Sequence, residues 1–463
     1  MVLQLVSAAA RGSLDPAAVQ AFQSGLRGAV LQPGDGGYDA ARALWNAMID
    51  RRPALIARCA GAADVIASIR FAREQGLPLT VKGGGHGVAG AAVQDDALLI
   101  DLSPMQSIRV DPVRRIARAE PGVTWESFDW EMQAFGLATT GGAIPSTGIA
   151  GLTLGGGLGF LMRKYGLTCD NLLAADVVTA DGALLTVSAA EHPDLYWALR
   201  GGGGNFGVVT SFEYRLHQVG PTVLGGFVIH PLSEAGALWR FYREFAAAVP
   251  DEVWTIFALM FLPDGQPVAA VVVGHCGSPE DGERVAQPLR AFGQPLADTI
   301  GPLSYVELQA LFGPSYPYGR CNYWKSGFMD ALPDAAIEAM LEHFATAPTP
   351  YTVIGLEPLG GAVARVGAAE TAFGHRSAAF APVIECNWYD PALEARCVGW
   401  ARECWAALGP YVSAGAYVNY VGGGEEERVK TVYGVNHARL AALKAKYDPD
   451  NVFCPNQNIR PAG

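Results

Sequence analysis

The sequence predicts an α+β fold in two lobes, and three observations carry that prediction. From Arg51 to about His217, short strands and helices alternate without a regular strand–helix–strand order. After Gly220 the elements lengthen, as in "QPVAAVVVGHC" and "SEAGALWRFYREFAAAVP", a texture that suits an antiparallel sheet with helices packed on it. Half of the 463 residues are hydrophobic, enough to fill cores of that size.

The elements follow in order. "GAADVIASIRFAREQG" spaces Val65, Ile66 and Ile69 for one helix face, with Asp64 near its start and Gly76 beyond its end. "LPLTVK" and "ALLIDL" read as short strands. "SIRVDPVRRIARAEP" reads as a hairpin turning at Asp111-Pro112, and "LLAADVVTADGALLTVS" as another turning near Ala180-Asp181-Gly182. "WESFDWEMQAFG" is a helix closed by Gly136. In the second lobe, the strands "TVLGGFVIH" and "QPVAAVVVGHC" alternate with long helices, "PDAAIEAMLEHFATAP" among them. The last stretch carries one helix and then "KYDPDNVFCPNQNIRP", which has little to bury and must pack on something already formed.

Charge and cysteine content narrow the function. The formal net charge is −12, from 45 acidic and 33 basic side chains, with no Lys/Arg cluster, so no nucleic-acid or anionic-membrane surface is expected. The first residues lack a basic n-region, and no stretch approaches a membrane span. The eight cysteines are scattered, without metal-ligand spacing, and read as buried free thiols in a reducing, cytoplasmic setting. No metal site is expected.

Fifty-six glycines exceed the needs of ordinary turns, and three clusters stand out: "GGGHGVAG" at 83–90, "GIAGLTLGGGLG" at 148–159 and "RGGGGNFGVV" at 200–209. Two contain GxGxxG, but neither opens a convincing helix, so a Rossmann-type dinucleotide dehydrogenase is not expected. Runs of bare backbone N–H groups still form anion-binding nests. Three clusters, one framing His86, point to a phosphate-bearing cofactor.

These clusters, with "YVNY" and the terminal "KYDPDNVFCPNQNIRP", resemble the berberine-bridge-enzyme-like group of FAD-linked oxidases, of the vanillyl-alcohol oxidase type, over nearly the whole chain. The resemblance implies a PCMH-type FAD-binding domain of two α/β subdomains over residues 51–218. It further implies a substrate domain, an antiparallel sheet covered by helices, over 219–430. Residues 1–50 and 431–463 would pack on the FAD domain. It implies FAD attached through His86 to the 8α-methyl group. It places Gly83, Gly84, Gly85, Gly87, Thr147, Gly148, Gly151, Gly155, Asp170, Asn171, Val209, Asn456 and Asn458 at the cofactor. Many relatives add a cysteinyl bond where this chain has Ile144, so a single attachment is expected. Thr147 stands at the position that gates oxygen, and its small side chain implies an oxidase.

The same resemblance makes Tyr420 the base for a substrate hydroxyl, with Glu357 as an assisting group. The implied activity is hydride transfer to flavin N5 from an alcohol or sugar-type carbon of a small molecule, with oxygen as acceptor and hydrogen peroxide as product. Oxidative cyclisation or desaturation, and flavin binding without turnover, remain as alternatives. Tyr316, Tyr318, Tyr323 and Trp324 form an aromatic patch suited to a sugar or a planar ligand, or to core packing.

Overall fold

The computed structural model describes residues 14–413, 415–422, 428–455 and 457–463. Within these residues the chain is α+β and builds three main sheets. The first has the order Ala29–Leu31, Leu55–Arg58, Leu98–Asp101, Leu79–Lys82, its last three strands parallel. The helix Ala62–Gln75 crosses between Leu55–Arg58 and Leu79–Lys82. It buries Val65, Ile69 and Ala72 at helical spacing, and ends where Gly76 turns left-handed and donates to Ala72. Asp64 is buried, and its carboxylate accepts from the backbone amides of Arg27, Gly28 and Ala60.

The second sheet is antiparallel, in the order Ile108–Asp111, Ile116–Ala119, Val208–Arg215, Leu172–Val178, Leu184–Ser188. Both hairpins expected from the sequence lie in it. The helix Trp125–Gln133 buries Trp125, Phe128 and Met132 and stops three residues before Gly136.

The third sheet has eight strands, all pairing antiparallel. Alternation along its strands sorts the side chains onto two faces. Phe257, Leu356, Ile384 and Trp388 face the helices Ala235–Ala248, Asp334–Phe344 and Glu394–Leu408 in one core. Trp254, Glu357, Glu385 and Trp324 lie on the opposite face, which looks toward the glycine-rich loops.

The C-terminal segment docks on groups already in place. Lys444 is fully buried and donates to Asp448 (2.6 Å) and to the carbonyls of Asn205 (2.7 Å) and Phe453 (2.6 Å). Asn205, in the third glycine cluster, donates to the Gln457 carbonyl and accepts from Ile459 N–H. That cluster therefore anchors the tail. The cysteines are all unpaired, but Cys454 is exposed and Cys321 half-buried, against the expectation of eight buried thiols. Among the described residues, no helix is long and apolar enough to cross a membrane, and no group of side chains has the makeup of a metal site.

Candidate active site

The strand Leu79–Lys82 ends where "GGGHGVAG" begins, at the carboxyl end of parallel strands, a place where open α/β sheets bind ligands. A cleft with a cavity volume of about 280 Å3, open to solvent at its mouth, starts there. Its walls include Gly83, Gly84, Gly85, His86 and Gly87 on one side and Ile144, Thr147, Gly148 and Gly151 on another. Trp324, Tyr417, Asn419 and Tyr420 close one end, and Pro455 and Gln457 bring in the tail.

Glycine serves two purposes here. A Cβ on Gly84 would sit 2.5 Å from Gly148 N, and one on Gly148 would sit 2.6 Å from Gly84 N, so the two loops touch backbone to backbone. At Gly87 and Gly151 an added Cβ would meet no protein atom within 4 Å, although both residues line the cleft. Bareness at those two positions leaves room for whatever fills the cleft.

His86 is held on several sides. Trp45 stacks on its ring at 4.3 Å and 16°, Tyr318 meets it edge-on at 6.2 Å, and its Nε2 lies 3.1 Å from Ser146 Oγ. Burial lowers its pKa to about 4, so the imidazole is neutral at pH 7. Asn46 pins this loop to the large sheet, donating to the carbonyls of Val88 (2.8 Å) and Asn322 (2.9 Å).

At the other end the turn Tyr417–Tyr420 is fixed against the second glycine cluster. The Tyr417 hydroxyl accepts from the amides of Gly157 and Leu158, and Asn419 donates to Tyr417 Oη (2.8 Å) and to the Leu152 carbonyl (3.1 Å). Tyr420 is half-buried, edge-on to Tyr417 (4.7 Å) and to Trp324 (5.9 Å). Two carboxylates on the sheet face stand near it. Glu357 accepts from Trp254 Nε1 (2.7 Å) and Glu385 accepts from the Tyr316 hydroxyl (2.7 Å). Burial pushes both up to about 7. The Tyr420 phenol is pushed well above its ordinary value by burial, then by Glu357, Tyr417 and Glu385.

The structure gathers His86, Gly83, Gly84, Gly85, Gly87, Thr147, Gly148, Gly151 and Tyr420 on one cleft, with Glu357 behind Tyr420. It places others elsewhere. Asp170 is held by Arg376 through two 2.7 Å bonds, and Asn171 binds the Leu167 carbonyl and His217. Val209 is in the core of the second sheet. Gly155 is bare because Asn419 approaches it, a Cβ there falling 2.1 Å from Asn419 Oδ1. Asn458 is half-buried outside the cleft wall with its Oδ1 unpartnered, and Asn456 lies outside the described residues. The third glycine cluster is not in the wall either. The aromatic patch splits, since Tyr323 packs against the helical core and its hydroxyl accepts from Arg402. Sequence reading missed Trp45, Ser146 and Glu385. The carboxylate of Glu385 had a signal, standing alone in the nine-residue, fully buried strand Phe380–Trp388.

The cleft fits a phosphate-bearing group without side-chain cations. No Lys or Arg is among the described residues that line it. The backbone N–H groups from Gly84 to Ala89 find no protein acceptor among the described residues, and all six of these residues line the cleft.

Comparison with known proteins agrees with this geometry. Residues 53–188 match the FAD binding domain family, and residues 416–460 the berberine and berberine-like family. (R)-6-hydroxynicotine oxidase of Paenarthrobacter nicotinovorans is 36% identical, over 95% of this chain and 98% of its own. The crystal structure of 6-hydroxy-D-nicotine oxidase from Arthrobacter nicotinovorans superimposes with a TM-score of 0.86 at 33% identity, covering 94% of this chain and 98% of that one. Glucooligosaccharide oxidase from Acremonium strictum, which carries a 6-S-cysteinyl, 8α-N1-histidyl FAD, shares the fold with a TM-score of 0.87 at 24% identity, over 96% of this chain and 100% of that one.

Proposed function

The chain belongs to the berberine-bridge-enzyme-like FAD-linked oxidoreductases, and from that premise we propose that it oxidises a carbon bearing a hydroxyl group in a small alcohol or sugar. Bound in the cleft, FAD supplies a two-electron acceptor that takes hydride from carbon and passes the electrons to oxygen, releasing hydrogen peroxide. His86 would hold the isoalloxazine covalently and alone, because Ile144 offers no thiol. The amides of Gly84 to Ala89 would hold the pyrophosphate. Thr147, small and in the cleft wall, would leave oxygen a path.

The observation that supports the substrate reading is that Tyr420 lies within the electrostatic reach of two carboxylates of pKa about 7. A phenol whose own pKa is raised is a poor resting base. It accepts a substrate proton when it can give up its own, and Glu357 and Glu385 are half-ionised near neutral pH. Tyr420 would thus meet the substrate and the carboxylates behind it would store the proton. Trp324 would bound the pocket as an apolar wall.

A second reading has its own support. Two carboxylates and the aromatic rings of Trp324 and Tyr420, with no Lys or Arg in the described wall, also suit a protonated amine, and the hydroxynicotine oxidase is the 36% identical relative. Peroxide release over a panel of alcohols, oligosaccharides and cyclic amines separates the two. With an alcohol, Tyr420→Phe is expected to slow anaerobic flavin reduction by about 10²–10⁴ while flavin content stays unchanged. With an amine the loss is expected to be small. Wild-type reduction of Tyr420→Phe by an alcohol would remove Tyr420 from proton transfer, and no peroxide with any member would remove the oxidase reading.

A further inference from the structure

The strand Ile108–Asp111 lies at the end of the second sheet and pairs on one side, with Ile116–Ala119. The Glu120 N–H donates to the Ser107 carbonyl (3.0 Å). Alternation from that bond turns the N–H and C=O of Arg109 and Asp111 toward Ile116–Ala119. Those of Ile108 and Val110 point the other way and meet no backbone partner among the described residues. An open edge of this kind is a template for another strand.

The helix Trp125–Gln133 flanks that edge, and an open groove between them is lined by Gln106, Ile108, Glu126, Trp130 and Glu131. Trp130 is 69% exposed there, and Val113, at the tip of the hairpin beside Arg114, is 92% exposed. Arg109, Arg114, Glu126 and Glu131 are exposed as well, and none forms an ion pair among the described residues. One surface thus carries an acidic groove with an aromatic wall and, at the far end of the same strand, an apolar tip with a cation.

We propose that this face binds a second copy of the chain, Ile108–Asp111 pairing antiparallel with itself about a two-fold axis at Val110. Such a contact needs a self-complementary patch, and the strand supplies one. With the axis at Val110, each Val110 exchanges its N–H and C=O with its counterpart. Arg109 then stands directly opposite Asp111 of the second copy, on the same face of the sheet, and does so twice. An axis at Arg109 would instead set two arginines opposite each other, which is unfavourable. Pro112, which has no N–H, ends the ladder on both sides. The same register carries the hairpin tip of each copy past Ile108 toward Gln106 of the other, which lines the groove. Val113 there covers Trp130, and Arg114 meets Trp130, Glu126 and Glu131. A basic segment of a different protein would suit the groove but not the match of Arg109 with Asp111.

Sedimentation velocity of the flavin-loaded protein from about 1 to about 200 µM is expected to show a dimer at the upper end. Arg114→Glu, and a second variant with both Glu126→Lys and Glu131→Lys, should each weaken it by more than about tenfold, with flavin content and Tm unchanged. Mixed in equal amounts, the two variants should recover the dimer. The new glutamate of one then meets the new lysines of the other, and the native Arg114 of the second meets the native glutamates of the first. If either charge variant fails to fold, Trp130→Ala and Val110→Pro take its place, the latter blocking the free edge while keeping the hairpin bonds, and both should be monomeric. Wild-type protein that stays monomeric at every concentration would overturn the proposal and leave the face to a different protein or to solvent. A dimer that these variants leave unchanged, or a mixture that stays monomeric, would overturn it as well.

Discussion

Adding one methyl group to Gly84 should separate the two loops that form the cleft. The ideal Cβ falls 2.5 Å from Gly148 N and 2.6 Å from Gly148 Cα, whereas ordinary contact begins at 3.4 Å. The backbones must therefore part by about 0.9 Å, and neither is the far end of a flexible side chain. Overpacking of this kind costs about 1–3 kcal/mol. The displacement also moves His86 relative to Ser146 and Thr147, and misplacing reacting groups by about 1 Å costs on the order of 10²-fold in rate. Gly84→Ala is thus expected to lower Tm and to slow covalent FAD loading about a hundredfold, both read on freshly prepared apoprotein. Gly151→Ala is the control. Its Cβ meets no protein atom, and alanine favours the helix Ile149–Leu154 by about 1 kcal/mol over glycine. That apoprotein should be at least as stable as wild type yet bind FAD more weakly, because the methyl occupies the cleft. Wild-type Tm and loading in Gly84→Ala would refute the backbone contact, and wild-type affinity in Gly151→Ala would refute the assignment of that space to the cofactor.

Two further outcomes are expected. Asp129 is buried with its Oδ2 accepting from Gln309 Nε2 (2.7 Å), while its Oδ1 and Gln309 Oε1 have no partner. Burial pushes its carboxyl up to about 7 from 3.8. The folded chain thus keeps a proton that the unfolded chain releases, and stability should fall between those values as pH rises, by about 1.4 kcal/mol per unit. Asp129→Asn can donate to Gln309 without a proton to lose, so its urea midpoint should fall less than that of wild type between pH 4.5 and 7.5. Parallel curves would show that Asp129 does not hold the proton. Thr147→Leu should slow reoxidation of the reduced enzyme by oxygen while leaving flavin reduction nearly unchanged. Equal reoxidation rates would remove Thr147 as the oxygen path.

Local pattern made much of this molecule legible. Apolar spacing and Gly76 marked the helix Ala62–Gln75, and turn residues marked both hairpins of the second sheet. Glycine density around His86 and at Gly148–Gly151 marked two walls of the cleft. Glycine alone could not say what comes close, however. Near Gly201 it is the Phe373 backbone, near Gly155 it is the Asn419 side chain, and at Gly87 it is open cleft. The third cluster, Asp170, Asn171 and Val209 lie outside the described cleft wall, where they have protein partners of their own. Trp45 and Glu385 went unseen for the opposite reason. Their partners, His86 for the one and Tyr316 for the other, are distant in the chain and meet them only once the chain has folded.

The claim on which the rest depends is that FAD is bonded to this chain at His86 and nowhere else. The mass of the acid-denatured protein tests it, measured for the wild type and for His86→Ala. The wild type is expected to carry one added FAD, which stays after alkylation of every cysteine, and His86→Ala is expected to show the bare polypeptide mass with its flavin free in the supernatant. A bare wild-type mass, or an adduct that persists in His86→Ala, would contradict the account.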